Sequence, residues 1–185
     1  TFVVVGYKSK KIKEYFNDYS RVKLIKNNLF KDTNMVESIF CAKKFINDDV
    51  VIVYSDIIFD TNIYNLLKKK NNIMPVNSSW EKIWRLRMNK KRIKYDAENI
   101  VIRKNTLVSI GGKIESEFPK NQFMGIVKFL KKDFNRMYEF YKKINNKKID
   151  FTGFIQLFMR NNNVKIKCYK TKKFWFEIDT IKDLR

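Results

Sequence analysis

Two stretches of the sequence run from β-branched and aromatic residues directly into an aspartate. In the first, residues 50–54 lead through Ser55 to Asp56, and in the second, residues 174–178 lead to Asp179. Ligands of open α/β sheets gather beyond the carboxyl ends of the strands. Mg²⁺ in proteins is held by a few carboxylates together with phosphate oxygens of the substrate. The pair Asp56 and Asp179 therefore predicts a Mg²⁺ site that works on a phosphorylated substrate.

Each aspartate also has a simpler interpretation when it is taken alone. Asp56 is a residue type common in turns, and Asp179 is placed to cap a final helix over residues 180–183. A third acid, Asp60, precedes Thr61 and is interpreted as the start of a helix. Only the two strand-end acids, taken as a pair, favour the metal site.

Aromatic, basic and acidic residues are grouped between the two aspartates. Trp80 and Trp84 are followed by Arg87 and, further on, by Glu98. Aromatic rings with acids nearby suit a cationic group of a ligand, and the planar guanidinium of arginine suits a phosphate or phosphonate. The spacing of the two tryptophans is equally typical of a helix face packed on the core, so both interpretations stay open.

Strand and helix patterns alternate through about the first 76 residues. Apolar runs predict strands at residues 2–7, 21–25 and 50–55, and amphipathic spacing predicts helices at residues 8–16, 34–46 and 60–67. Strands that alternate with helices pair in parallel through crossover connections. This part of the chain therefore predicts an α/β fold.

The later pattern adds antiparallel pairing. Residues 99–103 and 106–112 predict a hairpin, and further strands are expected at residues 123–127, 164–169 and 172–178, with helices at residues 133–144 and 154–160. No internal repeat or linker interrupts the sequence. We expect one domain over residues 1–185, with a Rossmann-like mixed, mainly parallel sheet and flanking helices.

The composition is strongly basic, with a net charge of +21. Such a charge attracts polyanions, but the lysines are spread along the sequence and no nucleic-acid-binding motif accompanies them, so a basic polyanion-binding module is kept only as an alternative. Two distant cysteines and the absence of histidine exclude a disulfide framework and a zinc site. No apolar run approaches the ~20 residues of a membrane span, and we expect a cytoplasmic protein.

The order of these features resembles the cytidylyltransferases of the nucleotide-diphospho-sugar transferase superfamily, and in particular those that activate phosphocholine or 2-aminoethylphosphonate. The landmarks that carry the resemblance are, in chain order, Val5-Gly6-Tyr7, Asn34-Met35-Val36-Glu37-Ser38, Tyr54-Ser55-Asp56-Ile57, Trp80 with Trp84 and Arg87, Asp96-Ala97-Glu98, Gln122-Phe123-Met124-Gly125-Ile126 and Trp175-Phe176-Glu177-Ile178-Asp179-Thr180 with Asp183. No single landmark is specific, but together they extend through nearly the whole chain.

The resemblance implies a Mg²⁺-dependent transfer of a cytidylyl group from CTP to a small phosphate or phosphonate acceptor, with release of pyrophosphate. It implies that Asp56 and Asp179 are the catalytic, Mg²⁺-binding residues. The residues implied at the nucleotide are Asn34 and Ser38, and those implied at the acceptor are Trp80, Trp84, Arg87, Glu98 and Glu177. Within enzymes, a sugar-1-phosphate nucleotidyltransferase of the same fold is the alternative.

One landmark of the family has no counterpart here. The family begins with a strand and a Gly-rich loop that cradles the triphosphate, whereas the five glycines of this sequence are Gly6, Gly111, Gly112, Gly125 and Gly153 and form no such loop. We therefore expect a nucleotidyltransferase-like domain that lacks its first strand–loop–helix. We also expect residues 1–185 to be inactive by themselves.

Overall fold

The computed structural model of the chain describes residues 1–114 and 117–184. Its strands are β1 (Phe2–Val5), β2 (Lys23–Lys26), β3 (Val50–Val53), β4 (Ile57–Phe59), β5 (Ile73–Asn77), β6 (Ile100–Arg103), β7 (Thr106–Ile110), β8 (Gln122–Phe123), β9 (Ile126–Phe129), β10 (Lys167–Thr171) and β11 (Trp175–Glu177). Its helices are α1 (Ser9–Tyr15), α2 (Met35–Cys41), α3 (Ile63–Leu67), α4 (Trp80–Arg85), α5 (Lys90–Asp96), α6 (Lys131–Lys143) and α7 (Phe151–Asn162). Short 3₁₀ turns follow at Lys43–Phe45 and Ile181–Leu184.

A seven-stranded sheet forms the centre of the molecule. Its strand order is β3-β9-β5-β10-β7-β6, and β8 pairs with β5 beside this path. Two smaller sheets accompany it, β1 with β2 and β4 with β11. The predicted mixed α/β class with flanking helices is thus confirmed.

The sheets contain less parallel pairing than we predicted. Among the described strands, β1 pairs in parallel with β2 and β5 with β10, while the other pairings are antiparallel. The difference arises because β9 enters the centre of the sheet antiparallel to both β3 and β5. Sequence pattern alone shows which residues form a strand but not which strand lies beside it.

Three predicted elements are divided in the structure. The strand expected to end at Asp56 is two strands, β3 and β4, separated by a turn at residues 54–56. The helix expected over residues 34–46 becomes α2 followed by a 3₁₀ turn. The strand expected over residues 123–127 is divided at Gly125, whose φ of +71° is incompatible with a continuous strand.

The core has two parts. One packs α2, α6 and α7 against the central sheet, with the fully buried Phe134, Phe154 and Phe158 at its centre. The other joins α3, α4 and α5 to β11 and contains the buried Trp80 and Trp175. Burial of large aromatic side chains of this kind stabilises a fold by about 2–3 kcal/mol each.

Within residues 1–114 and 117–184, no helix combines the length and the apolar character that crossing a membrane requires.

Candidate functional site

The two predicted strand-end aspartates lie next to each other in the structure. The chain turns after β3, and β4 then pairs with β11 so that Ile57 lies opposite Glu177. The backbone N–H of Ile178 donates a hydrogen bond of 2.7 Å to the carbonyl oxygen of Asp56. Both Asp56 and Asp179 are exposed. A pairing across some 120 residues of sequence thus brings Asp56 to the residue before Asp179, and the charges of both aspartates act on Glu177.

The turn before Asp56 depends on Gly125. Tyr54 donates its backbone N–H to the carbonyl of Gly125 at 2.9 Å. A Cβ atom on Gly125 would lie 3.0 Å from Cβ and Cγ of Tyr54, and the φ of Gly125 is +71°. Both facts require glycine at this position. Gly125 therefore lets the Tyr54 backbone and ring approach β9 and fixes the start of the turn.

Arg87 lies among three carboxylates. Its guanidinium donates to Asp179 and, at 3.3 Å, to Glu177, and its Nε lies 3.2 Å from Oδ1 of Asp183. The guanidinium also packs 5.9 Å from the ring centroid of Trp84. The Arg87 side chain is only 5% exposed. Arg87 therefore acts as the internal counter-ion of this acidic cluster.

The acids around Arg87 differ in their ionisation. Burial, followed by the charges of Asp179 and Asp56, raises the pKa of Glu177 to about 8, although Arg87 acts in the opposite direction. For Asp183, burial acts to raise the pKa, but hydrogen bonds from Thr180 and the charge of Arg87 outweigh it and hold the pKa below its usual range. Asp183 is thus a fixed anion, whereas Glu177 holds its proton more tightly than an exposed glutamate.

Asp183 is fixed by the backbone of the chain segment that carries Asp179. Its Oδ2 accepts hydrogen bonds from Asp179 N at 3.1 Å, Thr180 N at 2.8 Å and Thr180 Oγ1 at 2.9 Å. The C-terminal turn is therefore stabilised by an acid that reaches back to it. The alternative interpretation of Asp179 as the helix cap is not what the structure shows, since the Asp179 carboxylate pairs with Arg87.

A second acidic group lies at the start of α7. The Thr152 hydroxyl donates to Glu98 Oε1 at 2.6 Å and lies 3.1 Å from Asp150 Oδ1, which also accepts from Gly153 N at 2.6 Å. The Gln122 side-chain amide, oriented to satisfy both partners, accepts a hydrogen bond from the backbone N–H of Glu98 at 3.1 Å and donates one to the Glu98 carbonyl at 3.2 Å. The second Glu98 oxygen is buried and has no partner among the described residues.

This second group has no cation in ion-pair contact among the residues that the structure describes. Burial raises the pKa of Glu98, the hydrogen bond from Thr152 lowers it, and the charge of Asp150 raises it again, with a net rise. No described ion pair involves Glu98 or Asp150. The group is therefore a pair of acids that would gain from a positively charged ligand group.

Tyr54 lies between the two acidic groups. Its ring packs edge-on against Phe123 at 5.7 Å and tilted against Phe151 at 6.3 Å. Burial raises the pKa of the Tyr54 phenol, and the charges of Glu98, Asp150, Asp56 and Glu177 raise it further. Acids of both groups therefore lie close enough to act on one phenol.

The tryptophans do not line an open pocket in this structure. Trp80 is 2% exposed and donates its indole N–H to the Pro119 carbonyl at 2.9 Å. Trp84 is 4% exposed, meets Trp80 edge-on at 5.4 Å and stacks on Trp175 at 6.3 Å. Of the two interpretations of the tryptophan spacing, the structure favours the core-facing helix face. Their assignment to the acceptor stays a prediction.

Asn34 and Ser38 belong to a separate polar network. The backbone N–H of Met35 donates to the Asn34 side chain at 2.7 Å, and Asn34 Nδ2 donates to the Lys148 carbonyl at 3.2 Å. Ser38 Oγ accepts a hydrogen bond of 3.0 Å from the buried Asn27. No described hydrogen bond or ion pair joins these residues to the acidic groups. Their role at the nucleotide stays a prediction.

The acids present suit a cation that binds together with its substrate. Within the described part of the chain, no set of three Asp, Glu, Cys or His side chains converges as a complete metal site. Asp56 and Asp179 supply two exposed carboxylates, which is what Mg²⁺ takes from proteins when substrate phosphates and water complete its octahedral shell. The residues therefore fit Mg²⁺ in the presence of a phosphorylated substrate.

Sequence reasoning did not assign four of these residues to the site: Tyr54, Asp150, Thr152 and Asp183. Asp150 had a local signal, because an aspartate before a helical run is a favoured N-cap, and its side chain does accept from Gly153. Tyr54 and Thr152 had none, since their place follows from strand and helix packing. A Tyr directly before Ser55-Asp56 is not a recognisable pattern by itself.

With this geometry established, the chain was compared with known proteins. No family model matches it. Its sequence is 28% identical over 200 residues to the CTP:phosphoglutamine cytidylyltransferase of Campylobacter jejuni, an alignment that covers 98% of this chain and 78% of the relative. A shorter match, 32% identical over 72 residues, relates 39% of this chain to 17% of the bifunctional protein GlmU of Methanococcus maripaludis.

Solved structures share the fold at lower sequence identity. The inositol-1-phosphate CTP transferase of T. maritima superimposes with a TM-score of 0.75 at 14% identity, covering 98% of this chain and 71% of that protein. The CTP:phosphocholine cytidylyltransferase of Streptococcus pneumoniae superimposes with a TM-score of 0.71 at 14% identity, covering 100% of this chain and 75% of that protein. The predicted resemblance is confirmed: the chain has the fold of these nucleotidyltransferases, and its sequence is similar to that of a cytidylyltransferase along 98% of its length.

Proposed function

We propose that this protein transfers a cytidylyl group from CTP to a small phosphorylated or phosphonate acceptor and releases pyrophosphate. The observation that carries the proposal is the pairing of β4 with β11, which joins Asp56 to Ile178 and so sets Asp56 beside Asp179. The similarity to a cytidylyltransferase along 98% of the chain supports the same reaction.

In this proposal, an oxygen of the acceptor phosphate or phosphonate attacks the α-phosphorus of CTP. A phosphorus–oxygen bond forms to the acceptor while the bond to the β-phosphate breaks, and pyrophosphate leaves with the electron pair. Asp56 and Asp179 would hold a divalent cation, which neutralises developing charge on the phosphate oxygens. Because phosphoryl-group transfer depends mainly on positioning and charge neutralisation, the absence of histidine from the sequence is no obstacle.

We propose that the acceptor carries a positively charged group, as phosphocholine and 2-aminoethylphosphonate do. The support is electrostatic. Glu98 and Asp150 share the Thr152 hydroxyl and have no ion-pair partner among the described residues, in a protein whose net charge is +21. A buried carboxylate oxygen without a partner costs free energy that a ligand ammonium would recover. A sugar-1-phosphate would bring no such charge.

We also propose that a strand–loop–helix outside residues 1–185 completes the nucleotide site. Among the described strands, β1 pairs only with β2, and β3, at the edge of the central sheet, pairs only with β9. Val51 and Val53 of β3 are 39% and 40% exposed. An apolar edge strand left unpaired is a liability that proteins normally cover. A further strand along β3 would cover it and bring a phosphate-binding loop toward Asp56.

The test is an acceptor panel with the full-length protein. CTP and MgCl₂ would be incubated with phosphocholine, 2-aminoethylphosphonate, phosphoglutamine or glucose-1-phosphate, and cytidylylated product and pyrophosphate quantified by chromatography. We expect product with at least one acceptor that carries an ammonium group, and none with residues 1–185 alone. Product with glucose-1-phosphate alone would replace this proposal by the sugar alternative. Salt-dependent RNA binding without turnover of any acceptor would favour the polyanion-binding alternative.

A further inference from the structure

Arg87 occupies the place where the acids of the site converge. Its guanidinium contacts Glu177 and Asp179 by hydrogen bonds and Asp183 by an ion pair. One of these partners, Asp179, is also one of the two carboxylates that fit a divalent cation. A carboxylate oxygen that accepts from a guanidinium has less negative potential to offer a cation. Arg87 and the cation therefore compete for the Asp179 carboxylate.

The three partners of Arg87 are not equally free to leave it. The Asp183 side chain is 6% exposed and is held by Asp179 N and by both the N and Oγ1 of Thr180. The Glu177 side chain is 19% exposed, and that of Asp179 is 39% exposed. Asp179 is thus the partner that can turn toward solvent.

Arg87 itself is anchored. Its side chain is 5% exposed and its guanidinium lies 5.4 Å from the Phe176 ring centroid and 5.9 Å from that of Trp84. Cation–π contacts of this kind favour a fixed guanidinium. If Asp179 turns away, Arg87 keeps Asp183 and Glu177 as partners and remains neutralised in place.

We propose that Arg87 is a positioning residue that exchanges with the divalent cation for Asp179. Before the cation binds, the guanidinium holds Asp179 close to Glu177 and keeps the three acids from repelling one another. When the cation binds, Asp179 leaves Arg87 for the cation, while Arg87 stays on Asp183 and Glu177. This inference rests on the proposed function, because it concerns the cation of that same site.

The exchange predicts a measurable effect on cation affinity. Mn²⁺ binding to the full-length protein in the presence of CTP, without acceptor and against a blank of CTP alone, would be followed by the electron paramagnetic resonance signal of the Mn²⁺ that the protein does not hold. In Arg87→Gln, Asp179 has no ion pair to give up, so we expect Mn²⁺ to bind about five- to tenfold more tightly than in the wild type. Arg85→Gln is the matched control, since Arg85 pairs at the surface with Glu81, and its Mn²⁺ affinity should equal the wild type's.

A second measurement avoids a variant that could fail to fold. Side-chain ¹⁵N NMR of the wild-type protein would follow the guanidinium signals during a Mg²⁺ titration in the presence of CTP and without acceptor. We expect the Arg87 signals to shift as Mg²⁺ saturates the site, while those of Arg85 stay unchanged. The shift should be absent in Asp179→Asn.

The outcomes separate this inference from the proposed function. Equal Mn²⁺ affinity in the wild type and in Arg87→Gln, or Mg²⁺ saturation that leaves the Arg87 signals unmoved, would overturn the exchange and leave cytidylyl transfer standing. Failure of Mn²⁺ to bind any of the proteins would overturn the exchange together with the proposed metal site. Turnover of CTP plays no part in either measurement.

Discussion

The two acidic groups of the site contrast in how their charge is balanced. Glu177, Asp179 and Asp183 surround a buried arginine, whereas Glu98 and Asp150 share only the hydroxyl of Thr152. Both groups nevertheless act on the same phenol, that of Tyr54. One group thus contains a cation of its own, and the other has none among the described residues.

This difference suggests a division of labour. A compensated cluster keeps its carboxylates in fixed positions without a ligand, which suits residues that must orient a cation. An acidic pair without a cation becomes more favourable when a positive group binds beside it, which suits recognition of an acceptor. Four changes test this contrast: removal of the Arg87 guanidinium, displacement of Tyr54, removal of the Thr152 hydroxyl and removal of the Glu177 carboxyl group.

Loss of the compensating arginine should have the largest effect. Arg87→Gln leaves three carboxylates near one another without a cation, and breaking a buried ion pair in this way costs about 3–5 kcal/mol. Urea denaturation would measure the loss in the free energy of unfolding. Arg85→Gln, which removes an exposed i,i+4 pair with Glu81, should cost less than about 1 kcal/mol. Equal losses in the two variants would show that Arg87 compensates nothing.

Displacement of Tyr54 should come next. Gly125→Ala places a Cβ 3.0 Å from Tyr54 at a φ of +71°, so we expect a loss of about 2–4 kcal/mol, from steric overlap added to backbone strain. Gly112→Ala is the control, because its φ is +85° but nothing lies within 4 Å of the added Cβ. Its free energy of unfolding should fall only by the cost of the backbone strain, about 1–2 kcal/mol. Thermal unfolding of both variants would decide, and a larger loss in Gly112→Ala would contradict this role of Tyr54.

Removal of the shared hydroxyl should weaken the uncompensated group. Thr152→Val keeps the shape of a buried side chain but leaves Glu98 Oε1 without its 2.6 Å donor. We expect a loss of about 1–3 kcal/mol in the free energy of unfolding and a further rise in the pKa of Glu98. Thr152→Ser, which keeps the hydroxyl, should retain most of this contribution. If the valine variant is as stable as the serine variant, the hydrogen bond has no role.

A further effect is expected in the pH dependence of stability. The pKa of Glu177 is raised to about 8 in the folded protein from 4.5. The folded state therefore holds this proton to higher pH than the unfolded state, and the free energy of unfolding contributed by Glu177 declines as pH rises from about 4.5 through about 8. Glu177→Gln removes this decline, so its stability relative to the wild type should increase by at least ~1 kcal/mol between pH 5 and pH 8.

Glu139→Gln is the control for this pH profile, since Glu139 is 59% exposed and pairs with Lys142 at the surface. Its profile should run parallel to that of the wild type. A Glu177→Gln profile that also runs parallel would mean that Glu177 ionises like an exposed glutamate.

Local chemistry was enough to predict several elements. The hairpin of β6 and β7 turns at Lys104 and Asn105, both with positive φ, and asparagine is favoured in such turns. The amphipathic α6 was predicted within two residues of its start because its apolar face follows the helical period. Asp60, predicted as a helix-start residue, accepts hydrogen bonds from the N and Nδ2 of Asn62 before α3.

The remaining features are tertiary and leave little trace in the sequence. β4 contains only three residues, and its partner β11 lies more than 100 residues away. The three acids around Arg87 are 90 to 96 positions from it, and nothing near Arg87 marks it as their counter-ion. The sequence pattern identified the strand-end acids, but only the packing of the folded chain places Arg87 beside Asp179.

The central claim is that Asp56 and Asp179 together carry cytidylyl transfer. The most direct test is the initial rate of pyrophosphate release from CTP and the accepted acceptor by the full-length protein, with Asp56→Asn and Asp179→Asn measured beside the wild type. We predict that each substitution lowers the rate by about 100-fold or more while the protein stays folded, since transition-state charge loses its cation. Wild-type rates in both variants, or an undiminished rate in excess EDTA, would contradict the claim.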